Sequence, residues 1–383
     1  MLSAASPQGM RVVEGVISPA TGVLGLLAAP VPRDDRLAEA LRAIDPAGLP
    51  ALLERIAYHR IDGLAHRAVS RLPQATVDPW LRSALRRRAR RFAAATISQA
   101  LALAEVLEAL DRCRVPVVVM RGLGTIESIY GDPSLRPFED HDLLVLPESR
   151  MAARAALLRL GFEEKMPTLF RRGGVIVDLH TDPLGARRRP TRQAAFPVSV
   201  RGLFERAAPG RVAGAPALVL EPEDDLLLLA IHLVKHSFDR LVRIADLSHF
   251  VFRKRGVLDW NVLGRRAESC GAARLLTWAL EAAGILGVGV RAIDLPAAGG
   301  GGALERYLMG RALALRPLPY SGEILSILAA PAPGMRARLL IDAIWPESER
   351  PRDRWERASA LPRRVFDLAL GGARQAAARR RIQ

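Results

Sequence analysis

Between two long stretches of helical spacing the sequence runs Val115-Pro116-Val117-Val118-Val119-Met120 and stops on Arg121-Gly122-Leu123-Gly124. A short β-branched run of this kind suits a buried strand, and glycines directly after it demand a tight turn. This junction constrains the fold more than any other feature, because it sets a strand beside a turn whose backbone can approach a ligand closely. Thr125–Tyr130 is predicted as a short helix, broken by Gly131-Asp132-Pro133. Asp140–Leu146 (DHDLLVL) reads as a second strand, and 148–161 as a helix closed by Gly161. Phe170–Arg172 and Val175–His180 form an expected hairpin across Gly173-Gly174.

The flanks read as helix. From Asp35 to Arg112 the chain is rich in Ala, Leu and Arg, and Pro79–Cys113 is expected as one long amphipathic helix. Leu81, Leu85, Phe92, Ile97, Leu101 and Leu107 mark its apolar side, and Arg86–Arg91 a solvated basic side. A second helical block is expected from Pro222, with Glu223, Asp224 and Asp225 complementing the helix dipole, then helices over 240–255, 260–267 and 272–286. The expected division is an N-terminal extension (1–34), a helical region (35–113), an α/β core (114–210), a C-terminal helical domain (221–298) and an Arg-rich extension (299–383). Its joint is the glycine run 299–302, and it ends on Arg379-Arg380-Arg381.

At 383 residues, with 50% apolar and 25% charged residues, the chain has ordinary globular usage, which excludes collagen-like, disulfide-scaffold and wholly disordered classes. The net charge is +16, and only three of the 56 basic residues are lysine (Lys165, Lys235, Lys254). A basic surface favours anionic partners. The two cysteines, Cys113 and Cys270, are expected as buried thiols in a reducing compartment. The N-terminus lacks the pattern of a signal peptide, Val12–Pro32 being interrupted by Glu14, Pro19 and Pro30. No uncharged apolar run reaches 18 residues, so no transmembrane segment is expected, and the cytoplasm is the expected location.

Asp140 and Asp142 lie two apart on a predicted strand, so both carboxylates point to one face and need a cation between them. Asp178, alone in the other strong strand, offers a third carboxylate. Oxygen donors of this kind suit Mg²⁺. Gly122 and Gly124 allow phosphate to approach the backbone, while Arg121 and Arg136 offer forked cationic contacts to it. These parts make a triphosphate and metal site. His232 and His236 have the spacing of a zinc pair, but no Glu follows His232 and no third ligand is evident, so a zinc protease is excluded. Asp246 is expected to pair with an arginine such as Arg243, and His180 shares a face with Asp178.

Met120-Arg121-Gly122, Tyr130, Asp132-Pro133, Leu135-Arg136-Pro137 and Asp140-His141-Asp142-Leu143-Leu144-Val145 resemble, in that order, the uncharacterised nucleotidyltransferase family of bacteria, within the DNA polymerase β-like superfamily. Val177-Asp178-Leu179-His180 is similar to the family's third-carboxylate strand, and Ala230–Asp246 to its C-terminal helical motif. The likeness covers about Pro50 to Trp278. It implies an α+β fold, a nucleotidyltransferase-type mixed-sheet core flanked by N-terminal and C-terminal helical regions. It also implies that Asp140 and Asp142 bridge two Mg²⁺ ions, that Asp178 binds one of them and orients the attacking hydroxyl, and that Lys235, His236 or Arg240 touches the nucleotide. The reaction is then NMP transfer from an NTP to an acceptor hydroxyl with loss of pyrophosphate, the acceptor being unidentified and a sugar or peptide at family level. The sequence departs from the family at Arg121, where lysine is usual, and at His141, where an apolar residue is usual. Its Gly122–Asp140 separation of 18 is also long.

The rival reading is a non-catalytic RNA- or phosphate-binding protein on the same fold. Clustered unpaired aspartates serve no purpose in holding an anion, and no aromatics interleave the basic runs, so nucleic acid is the less favoured partner.

Overall fold

The computed structural model describes residues 11–14, 21–185, 190–291 and 302–344. Nine strands are described: β1 (Arg11–Glu14), β2 (Val117–Val119), β3 (His141–Val145), β4 (Glu163–Glu164), β5 (Leu169–Arg172), β6 (Val175–His180), β7 (Ala208–Val212), β8 (Ala215–Val219) and β9 (Val288–Arg291). The helices before the glycine turn are α1 (Gly22–Ala28), α2 (Asp34–Arg42), α3 (Leu49–His59), α4 (Asp62–Arg71) and α5 (Pro79–Arg112). After it come α6 (Leu123–Thr125), α7 (Arg150–Arg159), α8 (Pro190–Ala195), α9 (Val200–Arg206), α10 (Pro222–Lys235), α11 (Leu241–Lys254), α12 (Trp260–Ser269) and α13 (Ala273–Gly284). Three more helices, α14 (Ala303–Leu313), α15 (Ser321–Ala329) and α16 (Pro333–Ile344), follow the glycine run.

Seven strands make one mixed sheet in the order β4-β5-β6-β3-β2-β8-β7. The pairs β3–β6 and β2–β8 are parallel and the others antiparallel. The sheet therefore runs past residue 210, the expected end of the core, because β8 pairs with β2. The fold is α+β, a mixed-sheet core with helical regions before and after it in the chain, as expected.

Side-chain alternation along the strands divides the interior in two. Val117, Val119, Leu143, Val145, Val177 and Leu179 pack on one face against Leu103, Val106, Leu107 and Leu110 of α5 and Ala153, Ala156 and Leu157 of α7. Val118, Met120 and Leu144 point the other way, into a larger cluster that includes residues of α1–α4 and α10–α13. Asp142, Asp178 and His180 fall on this second face.

The 34-residue α5 starts at Pro79, where the Asp78 side chain accepts from the backbone N–H groups of Trp80 and Leu81. Its first turns, through Leu81, Ala84 and Leu85, join the larger core, and its last turns join the smaller one. Between them Ile97 and Leu101 are 56% and 71% exposed, so they are not part of its buried side. Arg86, Arg87, Arg90 and Arg91 are exposed as expected, while Arg88 turns inward to pair with Asp62 at 2.8 Å. By length and composition α5 is apolar enough to cross a membrane, although both of its ends are built into the cores.

Cys270 is buried, whereas Cys113 is exposed, because it caps the end of α5, the helix that ends at Arg112. Gly299–Gly301 and the terminal arginines 379–381 lie outside the described residues.

Candidate functional site

In the parallel register of β3 and β6, Asp142 stands opposite Asp178 and Leu144 opposite His180. Period-two alternation then puts Asp142, Asp178 and His180 on one face, at the edge of the helical layer. His180 Nε2 lies 2.8 Å from Asp142 Oδ1 and 3.4 Å from Asp178 Oδ2. Donor atoms of these three side chains all lie within 4.8 Å of one another. Asp178 Oδ1 is buried and has no hydrogen-bond partner among the described residues. Asp140 sits one residue before β3, outside that group of three but lining the same cleft.

Gly122 forms the turn at the end of β2 with φ +68°, a conformation that favours glycine. A Cβ there would lie 2.8 Å from the Asp140 carbonyl oxygen, so the glycine lets the carboxylate loop close over the turn. At Gly124 a Cβ would lie 2.7 Å from the Val119 carbonyl oxygen, which lets the chain fold back into a helix. The helical residues that follow continue through a wider turn, Ile126–Tyr130.

Arg121 meets Asp142 in a fork, Nε on Oδ2 and Nη2 on Oδ1, both at 2.8 Å. Burial works against the charge of Asp142, yet Arg121 and His180 outweigh it and hold this carboxyl far below the usual carboxylate range. Burial likewise opposes the charge on Arg121, and Asp142 more than offsets it, so the guanidinium pKa is raised. Asp140 goes the other way: burial, then repulsion from Asp142, pushes its pKa up. The aspartates are thus not an unpaired cluster, since Arg121 compensates one of them within the fold.

Helix α10 supplies the opposite wall, where His232, Lys235 and His236 face the cleft at i, i+3 and i+4. The Lys235 ammonium donates to the Leu184 carbonyl at 2.9 Å. Burial, with Arg121 and Arg192 adding repulsion, lowers its pKa to about 8. The His232 and His236 rings are 4.3 Å apart. Burial lowers both pKa values, that of His236 to about 3, so both imidazoles are neutral near pH 7.

Arg136 also lines the cleft, but its guanidinium is engaged: Nε and Nη2 donate to Asp246 at 3.0 and 2.9 Å. Tyr130 Oη donates to the same carboxylate at 2.9 Å. The expected pairing of Asp246 with Arg243 is therefore replaced by Arg136, because Arg243 turns to Asp239, four residues back, at 2.5 Å. The cleft encloses about 340 Å³ and includes Arg60, Glu139, His232 and Arg243, none of which the sequence marked as site residues. Arg60 pairs with Glu139 at 2.6 Å across 79 residues of sequence, a contact no local pattern announces. His180 carried a readable signal, lying two residues beyond Asp178 on the same strand face.

A family model described as uncharacterised nucleotidyltransferase matches residues 45–286. No curated protein matches the chain. Among solved structures, the antibiotic-resistance factor ANT(2'')-Ia is similar over 46% of this chain and 94% of its own, at 18% identity and a TM-score of 0.33. The family match spans more than half of the chain and takes in the strands that bear the aspartates, the glycine turn and helix α10, so this chain belongs to the uncharacterised nucleotidyltransferase family.

Proposed function

We propose that the protein transfers an NMP from an NTP to an acceptor hydroxyl, with a divalent metal held by Asp142, Asp178 and the neighbouring Asp140. The observation that carries this reading is the convergence of Asp142, Asp178 and His180 donor atoms within 4.8 Å, with Asp178 Oδ1 buried and lacking a partner among the described residues. Carboxylate oxygens make Mg²⁺ a fitting ion. Bound Mg²⁺, two ions by family likeness, supplies Lewis-acid stabilisation of the attacking and leaving oxygens.

The chain's own residues do the rest. Gly122 leaves its backbone open to the triphosphate, and Lys235 adds positive charge from α10. Arg121 offers its fork to a phosphate when it leaves Asp142. The acceptor oxygen bonds to the α-phosphorus as the bond to the pyrophosphate oxygen breaks. Asp178 orients the attacking hydroxyl and accepts its proton. Carried over from the family, the acceptor is a sugar or peptide hydroxyl.

Calorimetric binding of each NTP, with and without Mg²⁺, tests the reading on wild type and on Asp178→Asn. Metal-dependent binding that the variant loses supports it. Binding indifferent to both metal and variant removes the metal from the site, and no NTP binding at all returns the balance to a non-catalytic phosphate binder.

A further inference from the structure

Helix α5 carries an exposed stripe that neither core uses. Arg87, Arg90 and Arg91 lead it, Ala94, Ala95, Ile97, Ser98 and Leu101 form its centre, and Glu105 and Glu108 close it; all ten are exposed. Arg87, Arg91, Ala94, Ser98, Leu101, Glu105 and Glu108 are spaced alternately by four and three residues, the period of a helix–helix seam. The other side of the helix is occupied in this stretch: Gln99 donates to the Gly174 carbonyl at 3.0 Å, and its Oε1 lies 3.1 Å from His141 Nε2. Ile97 and Leu101 therefore point away from the sheet.

The stripe is complementary to itself when reversed. Its basic end and its acidic end lie on either side of an apolar centre at Ile97–Ser98, over about 32 Å of helix. We propose that this surface docks on the same surface of a second copy, the two α5 helices running antiparallel about a two-fold axis near Ile97–Ser98. Each Arg87–Arg91 end then meets the partner's Glu105–Glu108 end, and each Leu101 is covered by the partner's Ala94–Ser98 segment. The small side chains at 94, 95 and 98 permit the close approach of two helix axes. A two-fold contact uses one patch twice, so a single patch with both charges and an apolar middle is what it requires. Glu105 also pairs with Arg172 at 2.5 Å, yet its side chain is still 46% exposed and open to a second cation.

Sedimentation of the full chain over a range of protein and salt concentrations tests this. A dimer is expected that weakens as salt rises and that Leu101→Lys weakens at least about tenfold, since symmetry loses the side chain twice. Two charge variants, Arg87→Glu/Arg90→Glu and Glu105→Gln/Glu108→Arg, are expected to be monomers separately and to form a heterodimer when mixed. Melting curves matched to wild type show that each variant is folded. A chain that stays monomeric, a dimer indifferent to Leu101→Lys, or variants that do not associate on mixing overturns the proposal. So does a monomer that binds anionic vesicles through Leu101, which makes the stripe a membrane face.

Discussion

Arg121 grips both oxygens of Asp142 at 2.8 Å across 21 residues of sequence, and His180 Nε2 lies at the same distance from one of those oxygens. The metal-binding carboxylate of the proposed site is thus also one half of a buried ion pair. Substituting Asp142 strands a buried guanidinium, so Asp142→Ala is expected to cost about 3–5 kcal/mol of folding stability. Asp178→Asn leaves no arginine unpaired and is expected to cost far less. Urea unfolding of the two variants checks the order, and equal losses would contradict it.

Acid should act on the same pair. Asp142 has a folded-state pKa depressed below its unfolded value, so its contribution is present above the usual carboxylate range and is lost as pH falls through and below it. Thermal melts taken down through the carboxylate range are expected to show a fall in stability that is shallower in Asp142→Asn than in wild type.

Lys235 gives a pH dependence at the alkaline end. Its pKa of about 8 lies below the ordinary lysine value, so the unfolded chain binds more protons between the two, and stability from this group rises with pH across that interval. Nucleotide affinity runs in the opposite direction, because the ammonium is the form that attracts phosphate. NTP binding is expected to weaken above about pH 8 in wild type and to lose that dependence in Lys235→Met; an unchanged profile in the variant removes Lys235 from the phosphate site.

Gly122→Ala combines a left-handed backbone with a 2.8 Å approach to the Asp140 carbonyl oxygen. A stability loss of about 1–3 kcal/mol is expected. Because the relief is movement of the Asp140 loop, activity should fall further than stability alone accounts for. Steady-state rates measured well below the melting temperature separate the two effects.

Asp246 is 3% exposed and accepts from Tyr130 and Arg136 together. Asp246→Ala is expected to destabilise by about 3–5 kcal/mol, well beyond Asp239→Ala, whose partner Arg243 is nearer solvent. Parallel denaturant titrations make the comparison.

Much of this was legible in the residues. The strand Val117–Val119, the Gly173-Gly174 hairpin and helix Pro79–Arg112 follow from β-branching, turn chemistry and apolar spacing, all of which act within a few residues. The placement of Asp142 and Asp178 on one face follows from alternation, given that their strands are neighbours. What stayed hidden depends on long-range geometry: β8 joining β2 beyond residue 210, Arg136 reaching Asp246 across 110 residues, and Arg121 neutralising Asp142. Arginine hides its partner well in a sequence so full of it, since spacing gives no reason to choose among neighbours. Ile97 and Leu101 misled for the opposite reason: helical spacing marks an apolar side without saying which molecule covers it.

Helix α5 puts its first turns in one core and its last in the other, with a single uninterrupted backbone between them. The expected seam between residues 113 and 114 is therefore not a place where the chain can be divided. A fragment beginning at 114 would leave the rear of the sheet bare where Leu103, Val106, Leu107 and Leu110 belong. The sheet is not an excisable module, and heat should melt it together with the N-terminal helices as one thermodynamic unit.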